Sequence, residues 1–158
     1  MTVITHARRK SRLAKMIDSA GGVSVGVALT RARANVAALR GRGLEEVARC
    51  IDDLAALKPP TDSEETFRTL QQAYRSANHV IDAAAPFDLP EICAVASSLC
   101  DVIDRVSAEA VPDWRIIDVH VRSLRLLHGL PVNAADERRQ ITDHLALMVA
   151  RKFASPET

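Results

Sequence analysis

Aromatic side chains are scarce in this chain of 158 residues: one Trp, one Tyr and three Phe, 3% of the total. A nucleic-acid module built on aromatic stacking platforms is therefore not indicated, and the interior has to be made from Ala, Val, Leu and Ile. No apolar run reaches the roughly 18 residues of a membrane span, so no membrane partner is expected. The N-terminus is basic but no hydrophobic stretch follows it, so a secretory signal is not expected and the chain is read as cytoplasmic. The three cysteines, Cys50, Cys93 and Cys100, contain no CxxC pair. They read as reduced thiols rather than disulfides or metal ligands. No two histidines stand at i, i+4 with an acid, no serine sits in an elbow motif, and no glycine-rich phosphate loop is present. No metal, no cofactor and no catalytic residue is expected, and the chain is read as not an enzyme.

Apolar residues make up 47% of the chain and charged residues 26%, enough for one core under an ordinary solvated surface. The net charge of +1 hides an asymmetry. Residues 1–43 hold nine basic side chains and one acid, a balance of +8, which leaves −7 for the rest. Such a split invites an acidic partner for the first part. Within it, residues 1–22 read as a basic arm carrying Arg8, Arg9, Lys10, Arg12 and Lys15, ended by Gly21-Gly22. An arm of this kind binds nucleic acid through phosphates. It lacks the second helix of a helix-turn-helix, so nucleic acid is not the favoured partner.

The pattern downstream is helical throughout. Val25, Leu29, Ala32, Val36 and Leu39 are spaced four and three apart behind a capping Ser24. The stripe resumes after Gly41-Arg42-Gly43 at Leu44, Val47, Ile51 and Leu54 with its phase nearly kept. A long helix over residues 23–58 follows, either kinked at the glycines or unbroken. Unbroken, residues 24–57 would span roughly 50 Å, long enough for part to pair with a second copy. Pro59-Pro60 ends it. Thr61-Asp62-Ser63-Glu64 opens a second helix with Phe67, Leu70, Tyr74, Ala77, Ile81 and Ala84 as core positions. Asp88 caps a third, Trp114 begins a fourth and Asn133 caps a fifth. The expected architecture is all-α: an antiparallel four-helix bundle over residues 59–154, preceded by the long helix and the basic arm.

The stretch Ala77-Asn78-His79-Val80-Ile81-Asp82-Ala83-Ala84-Ala85-Pro86-Phe87-Asp88-Leu89-Pro90-Glu91 reads as a helix end, a Pro-bounded turn and the next helix start. It resembles the histidine-containing phosphotransfer (HPt) domains. These are four-helix bundles whose phosphorylated His lies on an exposed helix face in a His-x-Leu-Lys-Gly pattern, usually after Ala, with a short Phe-Gly or Leu-Gly turn beyond. Ala77 matches the preceding Ala, Val80 the Leu, and Phe87-Asp88-Leu89 the turn. Ile92, Ala96 and Leu99 match the apolar positions of the next helix. Asn78, however, stands where the acceptor His belongs, Ile81 replaces the Lys and Asp82 the Gly. The resemblance thus implies a degenerate member that docks a response regulator receiver domain without phosphotransfer, in two-component or chemotaxis signalling. The Asn-His pair, the Ser98-Leu99-Cys100-Asp101 run, the basic arm and the Gly-Gly turn together are also similar to small accessory proteins encoded with bacterial chemotaxis genes.

His79 keeps an alternative open. It lies one residue past the acceptor position and faces solvent by helical arithmetic, with Arg75 four residues before and Asp82 three after. Arg75 would steady a phosphoryl group on His79, and Asp82 would oppose it. The candidate interaction face is therefore Arg75, Asn78, His79 and Asp82. An active phosphotransfer protein using His79 and a nucleic-acid-binding protein led by the arm are the alternatives.

Overall fold

The computed structural model describes residues 21–105, 113–131 and 133–154, and the five basic residues of the arm lie outside them. Among the described residues five α-helices follow one another: α1 (Val25–Ala55), α2 (Ser63–Ala84), α3 (Pro90–Asp104), α4 (Trp114–Gly129) and α5 (Ala135–Phe153). A 3-10 turn, Ala85–Phe87, joins α2 to α3. Among the described residues there is no strand.

Helix starts follow local chemistry only in part. Ser24 Oγ accepts from the Val27 N–H at 3.4 Å. The second helix is capped by Asp62, which accepts from the Glu65 N–H at 2.7 Å. Glu65, not Glu64, closes the box by accepting from the Thr61 N–H at 2.7 Å. Asp88 does not cap α3. It ends the 3-10 turn in the left-handed region (φ 57°), and Leu89 holds the cap position without a side-chain bond. Nor does Asn133 cap α5, whose cap position is Ala134. Asp113 caps α4 and also takes the Lys152 Nζ at 2.8 Å, tying the start of α4 to the end of α5.

The chain divides into two compact units, one ending at Asn35 and one running from Val36. In the second, α3 packs against α2, α4 and α5, and α4 packs against α5. The later part of α1 joins the same core through Val47, Cys50, Ile51 and Leu54. Burial along α1 changes sharply: Val25 is 75% and Leu39 49% exposed, whereas Val47 is 0% and Leu54 1% exposed.

The buried line of α2 differs from the expected one. Phe67 is 70% exposed and Tyr74 also lies at the surface, while Ala73, Ala77, Val80 and Ala84 are buried. Small side chains on that line let α3 approach closely, and the aromatics are left at its margin.

The helix α1 runs through Gly41 and Gly43 as one element. Gly43 has a specific packing reason: a Cβ there would stand 1.9 Å from Phe87 Cε2, so only a bare Cα accommodates that ring. One turn earlier, Arg40 Nη1 donates to the Phe87 carbonyl at 2.7 Å. The α2–α3 turn is thus held from α1 by a ring seated on a glycine and a charged hydrogen bond. Buried Arg138 does similar work at the other end of the core. It donates to the Leu127 carbonyl at 2.7 Å and to Glu91 Oε2 at 3.3 Å, filling orphan acceptors at the end of α4.

Candidate functional site

With Ala77 and Val80 facing inward, a rotation of about 100° per residue carries Arg75, His79 and Asp82 to the far side of α2. All three are exposed there. Asn78 is half-buried at the edge of this face. Its Nδ2 donates to the Tyr74 carbonyl at 2.9 Å and approaches Cys100 Sγ of α3 at 3.7 Å. Among the described residues, no hydrogen bond or ion pair joins Arg75, His79 and Asp82 to one another. They share a face, but they do not form a network.

The neighbourhood of His79 extends to α1. Arg49 donates to Glu46 through Nε at 2.9 Å and through Nη2 at 2.5 Å, and to Asp53 through Nη1 at 2.6 Å. The Arg49 hydrogen bond is the main reason the Glu46 carboxyl is held below its usual range, and the charge of His79 adds to the lowering. Arg49 is held above its ordinary range by the same partner. His79 is thus within electrostatic reach of a carboxylate that sequence reasoning did not bring to it, although no ion pair joins the two. Glu46 and His79 are distant in the chain, and only the tertiary fold brings their charges within reach of one another.

A second histidine was not singled out from sequence. His120 of α4 is fully buried. Its Nδ1 lies 2.7 Å from the Ile116 carbonyl and must donate to it, which leaves Nε2 to accept from the Ser98 hydroxyl at 3.1 Å. Burial pushes its pKa down, partly offset by the bond to Ile116. The signal available in the sequence was its place four residues after Ile116, inside an apolar stripe. His128 Nε2 donates to the Leu44 carbonyl at 3.1 Å, joining α4 to α1. His144 is exposed beside a surface groove of about 500 Å³ between α4 and α5.

The thiols of Cys50, Cys93 and Cys100 are free, and burial is the first cause raising the pKa of each. Raised thiols are poor nucleophiles. Among the described residues no three His, Cys, Asp or Glu side chains are grouped to hold a metal ion. No described helix is long and apolar enough to cross a membrane. Compared with protein-family models, curated proteins and solved structures, the chain matches none.

Proposed function

We propose that the chain is a non-enzymatic interaction module that docks the receiver domain of a response regulator through Arg75, Asn78, His79 and Asp82. Its setting on this reading is bacterial two-component or chemotaxis signalling in the cytoplasm, with residues 59–154 arranged as an antiparallel four-helix bundle of the phosphotransfer type. The observation that carries the reading is the exposure of Arg75, His79 and Asp82 on one side of α2, immediately before the turn that α1 fastens. Docking without phosphotransfer is favoured over phosphotransfer through His79 on electrostatic grounds. Asp82, three residues on along the same exposed side, places negative charge where a phosphohistidine would have to form. The basic arm complements the acidic pocket of a receiver and would speed encounter.

Binding of the intact chain to each receiver domain of its source organism tests this. Micromolar binding to at least one is expected, weakened roughly tenfold by Arg75→Glu with an unchanged unfolding midpoint. Absence of binding to every receiver contradicts the proposal. Acid-labile phosphate that forms on the intact chain and is lost in His79→Ala would replace it with the phosphotransfer reading.

A further inference from the structure

The few aromatic rings of this chain have partners, except on one side of α2. Phe87 is seated on Gly43, Trp114 packs against the core, and Arg105 holds its guanidinium 5.4 Å from the centre of the Phe153 ring. Phe67, by contrast, is 70% and Tyr74 36% exposed. They stand two turns apart along one side of α2, with Leu70 between them. Both line a cleft of about 260 Å³ between α2 and α3, together with Leu70, Gln71, Ile103 and Asp104. Leaving two rings in water forgoes the largest apolar burial available to this helix. Two rings and two aliphatic side chains grouped around one concavity form a contiguous patch rather than scattered singles, and such a patch marks a binding site.

The charge at the cleft says what fits it. Asp104 ends α3, where the last carbonyls of the helix add negative potential and favour a cation. Asp101 lies one turn earlier and is exposed as well. Among the described residues neither carboxylate takes part in an ion pair, and no basic side chain lines the cleft. The arginines next in sequence to Phe67 and Asp104 are engaged elsewhere: Arg68 pairs with Glu64, and Arg105 faces Phe153. An anion would be repelled by Asp104. A wholly apolar ligand would strip water from that carboxylate without replacing it. A metal ion needs several oxygen ligands, and no such group of side chains is present among the described residues. A helix of another protein is too large for a cleft about 10 Å long. A small cation with an apolar body meets each demand, because the carboxylate answers its charge and the rings answer both charge and body.

We propose that the cleft between α2 and α3 binds a small organic cation, a quaternary or protonated ammonium group on a body of a few carbon atoms. The ammonium group lies between the Phe67 and Tyr74 rings and the Asp104 carboxylate. Its body rests on Leu70 and Ile103, and Gln71 offers a hydrogen bond to a polar substituent. This binding does not rest on receiver docking through Arg75, Asn78, His79 and Asp82, none of which lines the cleft.

The test is an NMR titration of the intact chain with choline and with 3,3-dimethylbutan-1-ol, which has the same shape without the charge. The chain has one tyrosine, so the Tyr74 ring resonances report directly on the cleft. Choline is expected to shift them saturably at millimolar concentrations and to bind at least about fivefold more tightly than the neutral alcohol. Asp104→Asn is expected to remove most of that preference, and Phe67→Ala to weaken choline binding. Both variants should keep unfolding midpoints close to the parent's, because both side chains are exposed. Equal affinity for choline and the alcohol overturns the proposal, and so does the absence of a saturable shift with choline. Choline binding that is unaltered in both variants overturns it as well, because the cation then sits elsewhere.

Discussion

The two halves of α1 carry the same stripe at the same spacing and differ in what covers it. Residues 43–54 are closed by Phe87 and by the core shared with the other helices. Residues 25–39 expose Val25, Leu29, Val36 and Leu39 and are bordered by arginine. Periodicity identifies the side of a helix that is stabilised by leaving water. It does not say whether the chain itself or another molecule provides the cover. The charge beside the stripe does distinguish the halves. Arginine is the only charged residue bordering the first half, whereas in the second Arg49 pairs with Glu46 and Asp53, and Asp52 pairs with Arg125 of α4.

Truncation should separate the halves most strongly. Leu54→Ala removes a side chain 1% exposed and is expected to cost about 2–5 kcal/mol in denaturant unfolding. Leu29→Ala should stay within about 0.5 kcal/mol of the parent. Similar losses at both positions would break the comparison.

The glycines give the next largest contrast. Gly43→Ala must displace the Phe87 ring and is expected to destabilise the chain by about 1–3 kcal/mol, despite alanine's better helix propensity. Gly41 has open space at its Cβ, so Gly41→Ala is expected to stabilise by up to about 1 kcal/mol. Thermal midpoints of the two variants should therefore move in opposite directions.

A third contrast is set by pH. Burial holds the His120 imidazole below its ordinary value, so the folded chain binds that proton less readily than the unfolded chain does. Its contribution to stability is complete above about pH 6.5 and is lost progressively as pH falls toward the folded value. The drop in unfolding midpoint between about pH 7 and about pH 5 should shrink in His120→Gln. The same titration should leave the exposed half of α1 unchanged, because that half does not depend on this core.

Much of the fold was legible in the sequence because helices announce themselves locally. Apolar spacing, Pro59-Pro60, Pro86 and Gly129 mark five helices close to where they occur. The buried line of α2 was legible only in part. Ala77 and Ala84 are buried as expected, but Ala73 and Val80 complete the line in place of Phe67 and Tyr74, because closeness to α3 mattered more than side-chain size. The two glycines of α1, read alone, left a kinked and an unbroken helix both open. The explanation for Gly43 is a ring 44 positions further along the chain. At the candidate face, helical arithmetic brought Arg75, His79 and Asp82 to one exposed side. The electrostatic reach between Glu46 and His79 depends on the tertiary fold, which no local pattern encodes. The same holds for buried Arg138, a long charged side chain whose partners Glu91 and Leu127 are tertiary neighbours.

Native-state hydrogen exchange along α1 tests the division of this helix most directly. Amides from Val47 to Leu54 are expected to exchange only through global unfolding, and those from Val25 to Leu39 orders of magnitude faster through local opening. Equal protection along the whole helix in the free chain would contradict the account.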